Sequence, residues 1–518
     1  MARLVEGLGL RGNPFEHYVA ELEPDIADYA VKPPYFEAIG ARAKNTSSFI
    51  LFGDRGAGKS ATRLTIFKEL WREKADGNKV PFAVNMTDFS VAISGRNITS
   101  STEIVLVKEV AFVILESLLT WLSSLDEGDR EVYLGALDAD ESTLCYEMLR
   151  DFYLSRPEQK RQRSIREAMV LFNQAFLSKS KLWLERRWEP IARLIGTISE
   201  VIIRHYADAN ASVAQDITAT ISADRELKVD PILVLRKLVE LIAIFDFSGI
   251  VILIDKVDET DATSNSADRT AELIHPLLSR VQLMEVDSFS WVFFLWHSIK
   301  KIFEGDKYNV RLDKIGHATV AWSDQFFALM LDKRMQFFSN GRMDFSGLFE
   351  GSVDVPTIRN ELVRVCMRSP REIIRLMDVI IREHDVLHAE KDEILLLDDH
   401  SVQGGVDTYV KDRISSIYGD RLLAQIFRLN KTTFSNKDVQ LTFKVGAQSA
   451  RTRIQSWESA GIIKLSGTRA AEGVLGGKPA NEYTIVDARI ERIMQRQLIS
   501  YEGEVADEDP EFDPSGGE

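Results

Sequence analysis

The stretch Gly53-Asp54-Arg55-Gly56-Ala57-Gly58-Lys59-Ser60 meets every fixed position of the G-x-x-x-x-G-K-[ST] phosphate loop. The residue types explain the spacing. Glycine lets the backbone curl so that successive N–H groups face phosphate oxygens. Lys59 is long enough to reach β- and γ-phosphates, and the Ser60 hydroxyl can ligate Mg²⁺. A helix that begins near Lys59 and runs on through Ala61 adds the positive end of its dipole. Residues 53–61 are therefore expected to hold the phosphates of a nucleotide with Mg²⁺.

Such a loop needs a carboxylate at the end of a neighbouring strand, to hold Mg²⁺ through water. The run SGIVILIDKVDET supplies one. Gly249 to Ile254 is unbroken apolar and β-branched sequence, as a central parallel strand should be. Asp255 falls at its carboxyl end, where open α/β sheets bind ligands. Ser60 and Asp255 are thus the expected Mg²⁺ pair. Asp258 and Glu259 follow, and either carboxylate can polarise a water. Glu259 is the first choice of base and Asp258 the second.

These residues need elements to carry them. SFILF, before the loop, reads as a buried strand. SATRLTIFKELWREK, after it, places Leu64, Ile66, Phe67 and Leu70 near helical period. Strand, glycine loop and helix form the context that a phosphate loop requires.

Together these features resemble the AAA+ and STAND branch of P-loop ATPases, and above all its origin-recognition-type members that end in a winged helix. Four further stretches carry the resemblance. SFSWVFFLWHS resembles the next core strand, with His297 or Ser298 where the family places sensor 1. VRLDKIGHATVAWSDQFFALMLDKRMQFF resembles the last core strand entering a helical lid, and Arg311 then matches a trans-acting arginine finger. MRSPREIIRLMDVI resembles the sensor 2 helix, with Pro370 in its first turn and Arg371 aimed at the γ-phosphate. GLRGNPFEHYVAELEPDIADYAVKPPYFEAI resembles the segment that wraps the adenine, with Tyr29, Val31 and Pro33 near the base. The resemblance implies ATP as the nucleotide, hydrolysis to ADP and phosphate, and a homo-oligomer that forms with ATP. One position departs from the pattern. Many such ATPases carry glutamate directly after the Mg²⁺ aspartate, and here that residue is Lys256. This leaves the base open between Glu259 and Asp258 and implies slow turnover.

About 190 residues separate Ser60 from Asp255, far more than an ordinary βα connection. VPFAVNMTDFS accounts for one core strand; the rest reads as a helical insertion. STEIVLVKEVAFVILESLLTWLSSL predicts one long helix. A basic patch follows (Lys160, Arg161, Arg163, Arg166, Lys179, Lys181, Arg186 and Arg187, with Trp183 and Trp188), a set that suits a solvated helix face or a grip on nucleic acid or an effector.

From Arg421 the rhythm is that of a winged helix-turn-helix. Helices are expected over Arg421–Leu429, Asn436–Phe443 with Ser435 as N-cap, and Ala447–Ala460, closed by Gly461. Gln448, Ser449, Arg451, Thr452 and Gln455 would form the outward face of a DNA-reading helix. A β-hairpin wing bearing Arg469 and Lys478 would follow. Winged helices also serve as protein-contact modules, so duplex DNA and a protein effector both stand as partners.

The expected fold is an α/β P-loop core with a parallel sheet, a large helical insertion, a helical lid and a C-terminal winged helix. Residues 1–94 hold the N-terminal segment and the first half of the core, 95–240 the insertion, and 241–320 the second half. The lid spans 321–415, the winged helix 416–500, and an acidic, disordered tail 501–518. The 518 residues carry a net charge of −15. Whole-molecule attraction to nucleic acid is therefore not expected, and any DNA contact must be local. No signal peptide or membrane span is read. With only Cys145 and Cys366, neither a disulfide framework nor a cysteine zinc site is expected, which fits the cytoplasm. The eight histidines show no metal-binding spacing. The expected function is an ATP-driven switch that acts on DNA through the winged helix. The alternative is a STAND-like signalling or defence ATPase that recruits a protein effector.

Overall fold

The computed structural model describes residues 3–23, 25–89, 103–156, 230–391, 393, 395–469 and 480–499. The chain forms two compact units: Val19–Ser323, and Met1–Tyr18 together with Asp324–Glu518. The basic patch with Trp183 and Trp188, the wing-tip residue Lys478 and the acidic tail lie outside the described residues.

The first unit is built on five strands: β1 (Phe49–Gly53), β2 (Phe82–Met86), β3 (Ile250–Ile254), β4 (Phe289–Trp296) and β5 (Gly316–Thr319). They pair in the order β2-β3-β4-β1-β5, and every pairing is parallel. β1 to β4 are apolar along nearly their whole length, because helices cover both faces of the sheet. Side chains alternate between those faces with period two. Ile50, Phe52, Ile252, Ile254 and Phe293 join one apolar cluster; Phe49, Leu51, Val251, Leu253, Val292 and Phe294 join the other. The second cluster takes in Ile66, Phe67 and Leu70 of the Lys59–Ala75 helix. The first takes in Leu106, Val110 and Leu118 of the Glu103–Ser124 helix, and Leu235 and Leu238 of the Pro231–Ile244 helix. The described ends of the stretch read as an insertion are therefore part of the core layer. Parallel β2 and β3 need a crossover over one sheet face, and these two helices supply its outgoing and returning ends.

In the second unit, helices span Asp324–Phe338, Val355–Val365, Pro370–Leu387 and Asp399–Ile417. The last two pack closely and share a buried polar knot, in which the Arg413 guanidinium and the Tyr409 hydroxyl both donate to Glu372. Where the helices cross, a Cβ on Gly405 would stand 2.6 Å from the Ile380 Cα. Backbone cannot rotate away from such a contact. Overpacking of this kind costs about 1–3 kcal/mol, against the roughly 1 kcal/mol that alanine gains over glycine inside a helix. Gly405→Ala is expected to lower the stability of this unit, by up to about 2 kcal/mol in urea unfolding. An unchanged midpoint would show that the helices can part freely.

The C-terminal module follows the expected helix-turn-helix closely. Its helices are Asp420–Leu429, Asn436–Phe443 and Ala447–Ser459. Ser435 and Asp438 form a reciprocal capping box, and Gly461 closes the third helix at φ +74°. Trp457 is fully buried beside Phe434 and Phe443, with its indole N–H on Gln425. Strands β6 (Thr433–Ser435), β7 (Ile463–Arg469) and β8 (Ala480–Ile485) form an antiparallel sheet in the order β6-β8-β7. The parallel core, the helices that follow it and this winged helix agree with the expected fold class. Among the described residues no helix is long and apolar enough to cross a membrane.

Candidate nucleotide site

The glycine loop leaves β1 and turns into the Lys59–Ala75 helix. Gly56 and Gly58 have φ +77° and +90°, values that glycine accepts without a steric penalty. Gly58 is constrained twice. The Trp322 ring lies 3.6 Å from where a Cβ would stand, and the Trp322 indole N–H donates to Ala57 O at 2.9 Å. Lys59 Nζ donates to the carbonyls of Gly53 (2.8 Å) and Asp54 (3.0 Å), across the mouth of the loop. Asp54 and Arg55 are exposed, while Gly56, Ala57, Gly58, Lys59, Ser60 and Ala61 are half-buried. Tyr35 packs by the same helix; burial pushes its hydroxyl pKa up, and a hydrogen bond with Thr62 only partly offsets this.

Asp255 stands one residue past β3 and is 3% exposed. The Ser60 hydroxyl donates to its Oδ2 at 2.7 Å, although the two residues are 195 positions apart and β4 lies between their strands. The same Oδ2 accepts from Arg63 Nε at 3.1 Å, and Oδ1 accepts from the Lys256 backbone N–H at 2.9 Å. Arg63 is fully buried, and its other two nitrogens donate to Asn85 Oδ1 (2.7 Å) and Glu21 Oε1 (2.8 Å). Lys256, at φ +59°, places its ammonium 2.9 Å from the same Glu21 oxygen. Two cations, Arg63 and Lys256, thus face two carboxylates, Asp255 and Glu21. A buried charge needs such pairing to remain charged.

A second pair ties the loop to the segment after Asp255. Arg55 lies over the Trp296 ring at 4.5 Å and binds Asp258 Oδ2 (3.0 Å) and Asn265 Oδ1 (2.9 Å). Asp258 is therefore engaged, whereas Glu259 is exposed and holds no ion pair among the described residues.

The donor set fits Mg²⁺ and phosphate. Ser60 and Asp255 offer hard oxygen ligands, of the kind Mg²⁺ takes. The positive φ of Gly56 and Gly58 suits a curled backbone whose N–H groups can face phosphate oxygens. Glu21 Oε2 and Asn85 Nδ2 are buried in the adjoining network without hydrogen-bond partners.

The other expected residues are placed as follows. His297 opens the His297–Phe303 helix at the end of β4, with Nδ1 buried and without a hydrogen-bond partner. Arg311 is exposed before β5 and pairs with Asp313 at 2.9 Å. Tyr29 is buried, with its hydroxyl on Glu23. Arg371 lies in the first turn of the Pro370–Leu387 helix of the second unit. In that unit Gln448, Ser449, Arg451, Thr452 and Gln455 are all exposed on one helix, whose Ile454 and Trp457 face the core.

Sequence reasoning missed Glu21, Arg63, Asn85 and Trp322. One signal for Arg63 was present: it stands three residues after Ser60, on the same helix face. One expectation is corrected. The histidines were read as having no metal-binding spacing, yet His384 and His388 stand four apart and share a cluster with Asp398.

No family model matches the sequence, and no curated protein matches it. Similar solved structures include the Aeropyrum pernix ORC1 protein in complex with DNA, at 14% identity and a TM-score of 0.36, covering 91% of this chain and 96% of that one. They also include the Aeropyrum pernix ORC2 protein in ADPNP–ADP complexes, at 9% identity and a TM-score of 0.42, covering 92% and 98%. The ADP form of that protein is similar at 10% identity and a TM-score of 0.37, again covering 92% and 98%.

Proposed function

We propose that this chain is an ATP-dependent switch of the AAA+ type, which assembles with itself when ATP and Mg²⁺ are bound and acts on duplex DNA through its winged helix. The observation that carries the reading is the 2.7 Å contact between Ser60 and Asp255 at the foot of a glycine loop that also holds Lys59. Hydroxyl, carboxylate and ammonium converge there from segments that have no other local reason to meet. In this reading the N–H groups of Gly56 to Ser60 and Ala61 cradle phosphates, and Lys59 exchanges its loop carbonyls for phosphate oxygens. Ser60 and Asp255 hold Mg²⁺, whose chemistry is to neutralise charge on the phosphate oxygens. Arg63 and the Lys256 N–H hold the Asp255 carboxylate aimed at Ser60. Glu259 orients the attacking water, since Asp258 is held by Arg55. Arg371 senses the γ-phosphate, and Arg311 serves a neighbouring subunit. The exposed polar face of the Ala447–Ser459 helix supports the DNA role. Lys256, paired with Glu21 where a glutamate is usual, supports slow turnover.

Sizing the protein with and without ATP and Mg²⁺, beside Asp255→Ala, tests the switch. The wild type is expected to move to a larger species and the variant to stay put. Gel-shift binding to duplex DNA is expected to require ATP and to fall steeply with salt. ATP-driven assembly with no duplex binding at low salt would replace DNA by a protein effector, the signalling alternative. A wild type that binds no ATP sinks the reading.

A further inference from the structure

His384 lies in the last turn of the Pro370–Leu387 helix, and His388 is its C-cap. Residues four apart on a helix are neighbours on its surface, and the two rings meet edge to face with centroids 4.5 Å apart. Asp398, the N-cap of the Asp399–Ile417 helix, completes the group. One ligand atom from each of the three lies within 4.8 Å of the other two.

The hydrogen bonds around the group have a direction. His384 is 2% exposed, and its Nε2 lies 3.0 Å from Leu395 O, so Nε2 carries the proton. The lone pair is then on Nδ1. It faces the Ser401 hydroxyl at 3.0 Å, and the Ser401 backbone N–H donates to Asp398 Oδ1 at 2.7 Å. A histidine that gives one ring N–H to a backbone carbonyl and turns its other nitrogen inward has the arrangement of a metal ligand with its outer support. His388 supplies an independent observation. Its Nδ1 is buried and has no hydrogen-bond partner, a state that needs a water or an ion to explain it.

We propose that His384, His388 and Asp398 bind one divalent transition-metal ion, with Zn²⁺ the best match. Two imidazoles and a carboxylate suit zinc, whereas Mg²⁺ and Ca²⁺ prefer oxygen throughout. The fourth position falls to water or to the Ser401 oxygen. The ion would clamp the end of one helix to the start of the next, in a unit whose nucleotide-sensing role is argued separately above, so either proposal can fail without the other.

The test uses the full chain, stripped with chelator and free of nucleotide and Mg²⁺. It is titrated with Zn²⁺ alone, and with Co²⁺ as a visible-absorption probe. One equivalent per chain is expected, with the ligand-field bands of a four-coordinate Co²⁺ site and a rise in thermal midpoint with added Zn²⁺. His388→Ala and His388→Gln are expected to weaken binding at least about tenfold, at unchanged far-ultraviolet circular dichroism. Ser401→Ala keeps all three ligands and should still bind, and Asp255→Ala should bind like wild type. Equal binding by wild type and both His388 variants overturns the site, as does a wild type that takes up no Zn²⁺ and gains no thermal stability from it.

Discussion

Replacing Arg63 with alanine is expected to lower the unfolding free energy of the first unit by about 3–5 kcal/mol, the usual cost of removing one partner from a buried ion pair. Arg63 is wholly buried and satisfies Asp255, Asn85 and Glu21 at once. Without it, two carboxylates share the single ammonium of Lys256, and Asp255 keeps only the Ser60 hydroxyl and one backbone N–H. Urea unfolding of the full chain reads the effect; because the two units can unfold separately, the transition that ATP shifts identifies the relevant one. The double variant Glu21→Gln, Arg63→Ala should recover part of the loss, since it removes one of the stranded charges. Residues in one network show coupling of about 0.5–3 kcal/mol. A loss below about 1 kcal/mol in Arg63→Ala would mean that water reaches the pocket and screens the charges.

The second large effect concerns affinity. Lys59→Ala is expected to weaken MgATP binding at least about 100-fold, or about 2.7 kcal/mol, by deleting the loop cation placed to reach the β- and γ-phosphates. Free of nucleotide, the variant loses the bonds from the half-buried Lys59 to the carbonyls of Gly53 and Asp54. Its unliganded stability should therefore stay near that of wild type. The stabilisation that saturating ATP gives wild type, about 2.7 kcal/mol at a ligand concentration 100 times Kd, should vanish. Calorimetric titration and thermal melts read the two quantities separately. Tight ATP binding by Lys59→Ala would place the nucleotide elsewhere.

What was legible in the sequence was local. Strand, loop and helix around Gly53–Ser60 are contiguous, so periodicity and glycine spacing suffice to find them. Asp255 was legible because it punctuates an unbroken apolar run. The winged helix was legible through its caps, with Ser435 starting one helix and Gly461 ending another. The contacts that complete the site are not local. Glu21 and Arg63 meet across 42 positions, and Trp322 reaches Ala57 across 265. Arg63 sits among Leu64, Ile66 and Phe67, and an arginine on an amphipathic helix reads as a solvent residue until a buried partner is known. The core helices at the two ends of the long connection were hidden by its length, since a 190-residue gap reads as a separate block. The His384–Asp398 cluster was obscured because its third member comes from a different helix.

The order β2-β3-β4-β1-β5 also has a consequence for synthesis. Phe49 to Gly53 pair with Val292 to Trp296 on one side and with Gly316 to Thr319 on the other, so the strand made first has no neighbour nearby in the chain. At about 5–20 residues per second, a nascent chain carries that apolar strand unpaired for roughly 10–50 s before its partners leave the ribosome. Non-local parallel pairing of this kind also folds slowly once the chain is complete. The newborn protein thus carries an unpaired apolar strand for about half of its synthesis, an interval set by strand order rather than by the stability of the finished fold.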